Sequence, residues 1–137
     1  MVASADPFPD YEADVIQWVG EQYPAAFVSD ELPTRYEPLL PAIIVEDNGG
    51  ASDGLTLHTV LSISVYARDS GDISAREVAR DIATNLCSRM SVYPRRFGGI
   101  VADTVEVASW PSRSKAQEPD ESTVCFEGEV SISLRRK

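Results

Sequence analysis

Histidine occurs once in this 137-residue chain, at position 58, cysteine occurs twice, and basic residues are nearly missing from the first half. Each shortage excludes something. With one histidine, a zinc-type cluster or a Ser/His/Asp arrangement would have to be built around His58 alone. Cys87 and Cys125 have neither metal-ligand spacing nor a third partner, so they read as free thiols of a reducing compartment, with a disulfide between them as the alternative. Long hydrophobic runs are also missing. The longest apolar stretch, Leu39 to Val45, is interrupted by Pro41, and Met1 to Asp6 shows no basic region followed by an apolar one. The expectation is a protein neither exported nor membrane-spanning.

Residues 1 to 67 carry eleven acids and a single base, Arg35, whereas residues 68 to 137 carry eleven of each. The whole formal net charge of -10 therefore lies in the first half. A field of that sign repels phosphate, which disfavours simple binding to nucleic acid or to an anionic membrane; solubility alone is the plainer reading. At 43% hydrophobic and 25% charged residues, the composition is that of one folded domain spanning residues 1-137.

The apolar residues switch period along the chain. Tyr11, Val15, Trp18, Val19 and Gln22 recur at helical spacing and predict a helix over Asp10 to Gln22, with Gly20 and Pro24 marking its end. Ala26 to Ser29 and Ala42 to Glu46 read as short strands joined by a link through Pro33, Pro38 and Pro41, the second bounded by a turn at Asn48-Gly49-Gly50. Leu57 to Ala67 alternates, with Leu57, Leu61, Ile63, Val65 and Ala67 facing one way and His58, Ser62, Ser64 and Tyr66 the other. A second helix is expected over Ser74 to Met90. Val78, Ile82, Leu86 and Met90 form its stripe, flanked by Ala79 and Ala83; Ser74 and Glu77 make a capping box, and Ile73 and Val78 a hydrophobic staple.

Tyr93-Pro94 ends that helix, Gly98-Gly99 turns the chain, and Val101 to Trp110 is a further, less regular strand with Asp103 inside it. The stretch 111-122 reads as a polar loop whose tip is solvated and mobile unless a partner orders it. Thr123 to Leu134 alternates again, with Val124, Phe126, Val130, Ile132 and Leu134 inward and Cys125, Glu127, Glu129, Ser131 and Ser133 outward. The order α-β-β-β-α-β-β predicts an α+β fold, a mixed and mainly antiparallel sheet of four to five strands with both helices packed on one face.

No residue set demands chemistry. His58 shares its strand face with serines and reads as a solvated side chain; Cys87 has no activating base, and packing is the default. Asn48-Gly49-Gly50 lacks the Gly-Lys-Ser/Thr that follows in a phosphate loop. Glu127 and Glu129 could form an acid-base pair if buried, but an exposed or interface edge fits them better. Arg95-Arg96 and Arg135-Arg136-Lys137 are too short for a nucleic-acid footprint, yet suited to an acidic face on a neighbouring copy. Neither a catalytic set nor a cofactor or metal site is expected.

An N-terminal amphipathic helix is followed by the strand Ala42-Ile43-Ile44-Val45-Glu46 and the long strand Leu61-Ser62-Ile63-Ser64-Val65-Tyr66-Ala67. A helix carrying Ala79 and Ala83 and a strand ending Val130-Ser131-Ile132-Ser133-Leu134 complete a pattern that resembles the tail terminators of long-tailed bacteriophages, especially those of actinobacterial hosts. The resemblance covers nearly the whole chain but carries over no individual residue role.

It implies a non-enzymatic virion protein, made in the host cytoplasm and placed at the tail end next to the head. There a hexameric ring caps the tube of major tail protein, stops its polymerisation, meets the head-tail connector, and lets genome DNA pass without specific binding. The loops 46-54 and 111-122 would reach the tube or the lumen, which makes Asp47, Asp53, Arg113, Lys115 and Glu118 candidate interface residues. Arg95, Arg96, Glu127, Glu129, Arg135, Arg136 and Lys137 join them. Two rivals stand beside this reading: a neck, head-closure or tail-completion subunit, and a small-ligand or regulatory module in which Trp18 and Trp110 line an apolar site.

Overall fold

In the computed structural model, residues 11–52, 56–69, 72–92, 95–97 and 100–135 are described. Two helices, α1 (Tyr11–Gln22) and α2 (Ala75–Met90), combine with six strands: β1 (Phe27–Ser29), β2 (Ala42–Ser52), β3 (Thr56–Ala67), β4 (Arg95–Phe97), β5 (Ile100–Arg113) and β6 (Val124–Arg135). The class is mixed α+β. The sheet has six strands where the sequence predicts four to five, because a three-residue strand precedes β5. Its order is β1-β2-β3-β6-β5-β4, with β1 parallel to β2 and every other pair antiparallel.

The inward residues of the sheet and both helices share one core. Leu61, Ile63, Val65, Val130, Ile132 and Leu134 pack in it with Val15 and Val19 of α1. The sheet curls: α1 touches β1 and β2 near one edge and also β4 at the other.

Helix α2 buries part of the stripe its sequence predicts, at Leu86 and Met90, and with it the flanking alanines. Ala75, Ala79, Ala83, Leu86, Cys87 and Met90 are buried, while Val78 and Ile82 remain half-buried on the flank. The contact line thus runs from alanines in the first turns to Leu86 and Met90 in the last, both 0% exposed. The predicted cap is present, with Ser74 Oγ accepting from the Glu77 N–H at 3.2 Å. Ile73, proposed as half of a staple, stays 51% exposed.

Gly20 lies inside α1 rather than at its end, and nothing stands within 4 Å of where its Cβ would be. Gly20→Ala should therefore raise the unfolding free energy by about 0.5–1 kcal/mol through lost freedom of the unfolded chain. Urea midpoints will check the sign, and a lower midpoint would contradict it.

Asn48-Gly49-Gly50 is not a turn. Strand β2 runs through it, and the register jumps from Asp47↔Leu61 to Gly50↔Thr59, so the glycines form a bulge with Gly49 at φ 80°. The outer face of the sheet is also less open than its polar pattern implies. Tyr66 and Cys125, assigned there as outward residues, are buried with Ala42 and Ile44 beneath Phe27, Leu32 and Leu40. The proline-marked link folds back across that face and covers them.

Strand β5 extends three residues beyond Trp110 into the expected loop. Its register slips at Ala102/Thr104, Val107/Ser109 and Ser109/Ser112, and the last slip turns Pro111 inward onto Gly128. A Cβ on Gly128 would stand 2.9 Å from Pro111 Cγ and 3.0 Å from the Ser109 carbonyl oxygen, so a side chain at 128 would force β5 or the proline ring to shift.

Candidate functional site

Two polar clusters fasten the loops from which function was expected. The first is centred on Asp47, placed by the β2 bulge at the start of α1. Its Oδ1 accepts from the Gly49 N–H and from Thr59 Oγ1, both at 2.8 Å, and the Tyr11 hydroxyl donates to Oδ2. The Asp47 N–H donates to Glu12 Oε2 at 2.8 Å, tying the strand to α1. Burial pushes the Asp47 carboxyl up, yet the bonds from Tyr11, Gly49 and Thr59 outweigh it and hold the carboxyl below its ordinary value. Burial and the neighbouring Asp47 raise Tyr11 to about 12. Asp47 is thus a structural clip rather than a free loop acid.

The second cluster pins the 114-123 connection. Arg113 forms a two-pronged pair with Glu118, Nε to Oε2 at 2.8 Å and Nη2 to Oε1 at 3.1 Å, and Glu118 also accepts from the Cys125 N–H at 3.2 Å. Asp120 accepts from Tyr36, from Arg68 Nη2 at 2.8 Å, from the Ser122 N–H at 2.7 Å and from Thr123 Oγ1 at 3.1 Å. Arg113, Glu118 and Asp120 of the expected mobile loop are thus paired, with one another, with Tyr36 and with Arg68, while Lys115 and Glu121 at its tip are exposed.

The Tyr36 bond foremost, with Arg68, the Ser122 N–H and the Thr123 hydroxyl behind it, holds the Asp120 carboxyl far below its usual 3.8, against the opposing effect of burial. A depressed carboxylate stabilises the fold above its unfolded pKa, and that stability fades as pH falls through the folded value. Asp120→Asn should therefore flatten the decline in stability below about pH 4 relative to wild type. Urea midpoints taken from pH 6 down to pH 2 will show it, and parallel curves would remove Asp120 from the account.

Of the other expected site residues, Glu127 accepts from Ser64 Oγ at 3.2 Å, and Glu129 lies 3.4 Å from Asn48 Nδ2. They sit on the outer sheet face in rows with Glu46, Ser62, Ser109 and Ser112. Arg96 and Lys115 are exposed, in β4 and in the 3-10 turn Lys115–Gln117. Asp10, Asp53, Tyr93, Pro94, Gly98, Gly99, Arg136 and Lys137 lie outside the described residues, and Arg95 and Arg135 are placed by backbone alone.

His58 is exposed and bonds Ser133 Oγ at 2.9 Å. Both thiols are buried, and burial raises Cys87 to about 11 and Cys125 to about 12, which makes them poor nucleophiles. Among the described residues, no three or more His, Cys, Asp or Glu side chains are placed to hold a metal ion. Among the described residues no helix is long and apolar enough to cross a membrane.

Two clefts flank Pro41, and sequence periodicity gives no sign of either. One, about 330 Å³, is lined by Glu37, Leu40, Arg68, Asp69, Ile73 and Val78. The other, about 240 Å³ and almost wholly apolar, is lined by Tyr23, Pro24, Ala25, Ala26, Pro41 and Ile82. Trp18 and Trp110 line neither. Trp18 stands edge-on to Phe97 with ring centroids 5.2 Å apart, and Trp110 is 55% exposed on β5. Comparison with protein-family models and with curated proteins finds no match.

Proposed function

We propose that the chain is an assembly subunit, a tail-terminator-like protein that forms a ring on the end of a phage tail tube and ends its polymerisation. The observation that carries this reading is the outer sheet face. Glu46, Ser62, Glu129 and Ser109 form a row across four strands, with Glu127 and Ser112 beside it next to the buried Ser64, so the part of the face left uncovered is acidic and rich in hydroxyls. Such a surface repels phosphate at close range and suits the wall of a passage through which DNA slides without adhering. The two polar clusters support the same reading, since the hydrogen bonds at Asp47 and those of the 114-123 connection lower the entropy to be lost when a partner docks.

The alternative of a neck, head-closure or tail-completion subunit shares this surface and differs in the partner. Tubes grown in vitro from a long-tailed phage's major tail protein separate the two. Added during growth, the protein should shorten the tubes and appear at one end as a ring of about six copies of the 15.0 kDa chain. Tubes of unchanged length with bare ends would sink the terminator reading.

A further inference from the structure

We infer that Asn48 is a latent deamidation site, held unreactive by the hydrogen bonds of the β2 bulge and released when that bulge opens. Asparagine is a chemically labile residue, and Asn48 precedes Gly49, whose nitrogen has no neighbouring Cβ to shield it. In the reaction the Gly49 nitrogen bonds to Asn48 Cγ, the Cγ–Nδ2 bond breaks, and ammonia leaves with the proton that Gly49 gave up. Water then opens the five-membered imide at either carbonyl, which leaves aspartate or isoaspartate at position 48. Both residues are exposed, so water and hydroxide reach them.

The fold restrains both reacting groups. The Gly49 N–H donates to Asp47 Oδ1 at 2.8 Å, which commits the attacking nitrogen's proton to a carboxylate. That carboxylate is no base for the step. Burial raises it, but the bonds from Tyr11, Gly49 and Thr59 prevail and hold it below its ordinary value, too acidic to take an amide proton. The electrophile is tied to other strands: Asn48 Nδ2 donates to Ser62 Oγ on β3 at 2.6 Å and to Glu129 Oε2 on β6 at 3.4 Å. Pairing of Asp47 with Leu61 and of Gly50 with Thr59 fixes the backbone on both sides. Closing the imide ring requires these bonds to break together, a local opening of the bulge.

The product cannot restore what held the reactant. A carboxylate at position 48 has no proton to donate, and it would face Glu129 where the amide had met it. Like charges facing each other across strands destabilise the pairing. An isoaspartate also adds a methylene to the backbone, lengthening β2 where the register already jumps between Asp47 and Gly50. Each opening that leads to reaction is therefore recorded irreversibly, and the acidic face gains a further charge.

The test incubates the full chain at mildly alkaline pH, folded or in concentrated urea, and follows the exchange of NH2 for OH by mass spectrometry, with fragment ions to place it. Mass is the right readout, because isomerisation at Asp53-Gly54 leaves it unchanged. Asn85, the one other asparagine, precedes Leu86 inside α2 and serves as the slow control. Asn48 of the folded wild type should react about tenfold or more slower than in urea, since only the open bulge is reactive. Asp47→Ala should raise the folded rate about tenfold and Ser62→Ala about two- to tenfold, the ordinary worth of a charged and of a neutral hydrogen bond, with rates in urea little changed. Cys87, buried in the main core, must stay inert to a thiol reagent in each folded sample, which separates opening of the bulge from global unfolding. If Asp47→Ala fails that check, Ser62→Ala decides alone. Equal folded and unfolded rates in the wild type, or a folded rate that neither variant raises, would overturn the inference. Asn48→Asp should lower the urea midpoint at neutral pH, and an unchanged midpoint would overturn the claim that the product cannot rebuild the bulge.

Discussion

Phe97→Ala should lower the unfolding free energy by about 3–5 kcal/mol, the usual range for truncating a fully enclosed aromatic side chain. Phe97 is 0% exposed although it lies in a three-residue strand at the sheet's edge. It is enclosed because the sheet curls and Trp18 of α1 meets its ring edge-on at 90°, an arrangement that adds to simple burial. Removing the ring deletes the joint between the last strand in the sheet order and the first helix. Urea unfolding followed by tryptophan emission, in a Trp110→Phe background that leaves Trp18 as the one emitter, reads both consequences, a lower midpoint and a shifted native spectrum. A loss under about 1 kcal/mol would mean that the edge strand is not held through this side chain.

Gly50→Ala should be nearly as damaging, at about 3 kcal/mol or more, for a reason of backbone rather than cavity. A Cβ at Gly50 would stand 1.7 Å from the His58 carbonyl oxygen and 2.7 Å from Thr59 Cα. Neither neighbour is the end of a flexible side chain, so relief requires β2 and β3 to part where the bulge joins them. Gly49→Ala next door meets no atom within 4 Å but retains a positive φ, and should cost only about 1–2 kcal/mol. Urea midpoints for the two variants should rank Gly50→Ala well below Gly49→Ala. The reverse order would show that φ, not the close approach, governs the bulge.

Periodicity made the long elements legible. The alternation of Leu57 to Ala67 and of Thr123 to Leu134 lies in β3 and β6, and the Ser74–Glu77 cap begins α2. Where the reading failed, a tertiary contact had overruled a local signal. Asn48-Gly49-Gly50 has the composition of a turn, and only pairing with Thr59 and Leu61 makes it a bulge. Pro111 normally breaks a strand, yet the bulge before it and the bare Gly128 opposite let β5 continue to Arg113. Arg113, Glu118 and Asp120 look like solvated loop charges because their partners, including Tyr36 and Arg68, are distant in sequence or hidden by composition. The clefts beside Pro41 are lined by side chains distant in sequence, Glu37 with Val78 in one and Tyr23 with Ile82 in the other, so no local pattern announces them.

The sheet order puts the last strand in sequence at its centre: β6 lies between β3 and β5 and pairs with both along most of its length. While the chain is being synthesised, β3 has only the β2 hairpin as a sheet neighbour, and β5 has only the short β4, until Val124–Arg135 has left the ribosome. Folding must then close the long loop from Ala67 to Val124, a non-local pairing of the kind associated with slow folding. A nascent chain stalled before residue 124 would display the apolar faces of β3 and β5 without their shared neighbour, the kind of open edge that chaperones cover and that aggregates in their absence.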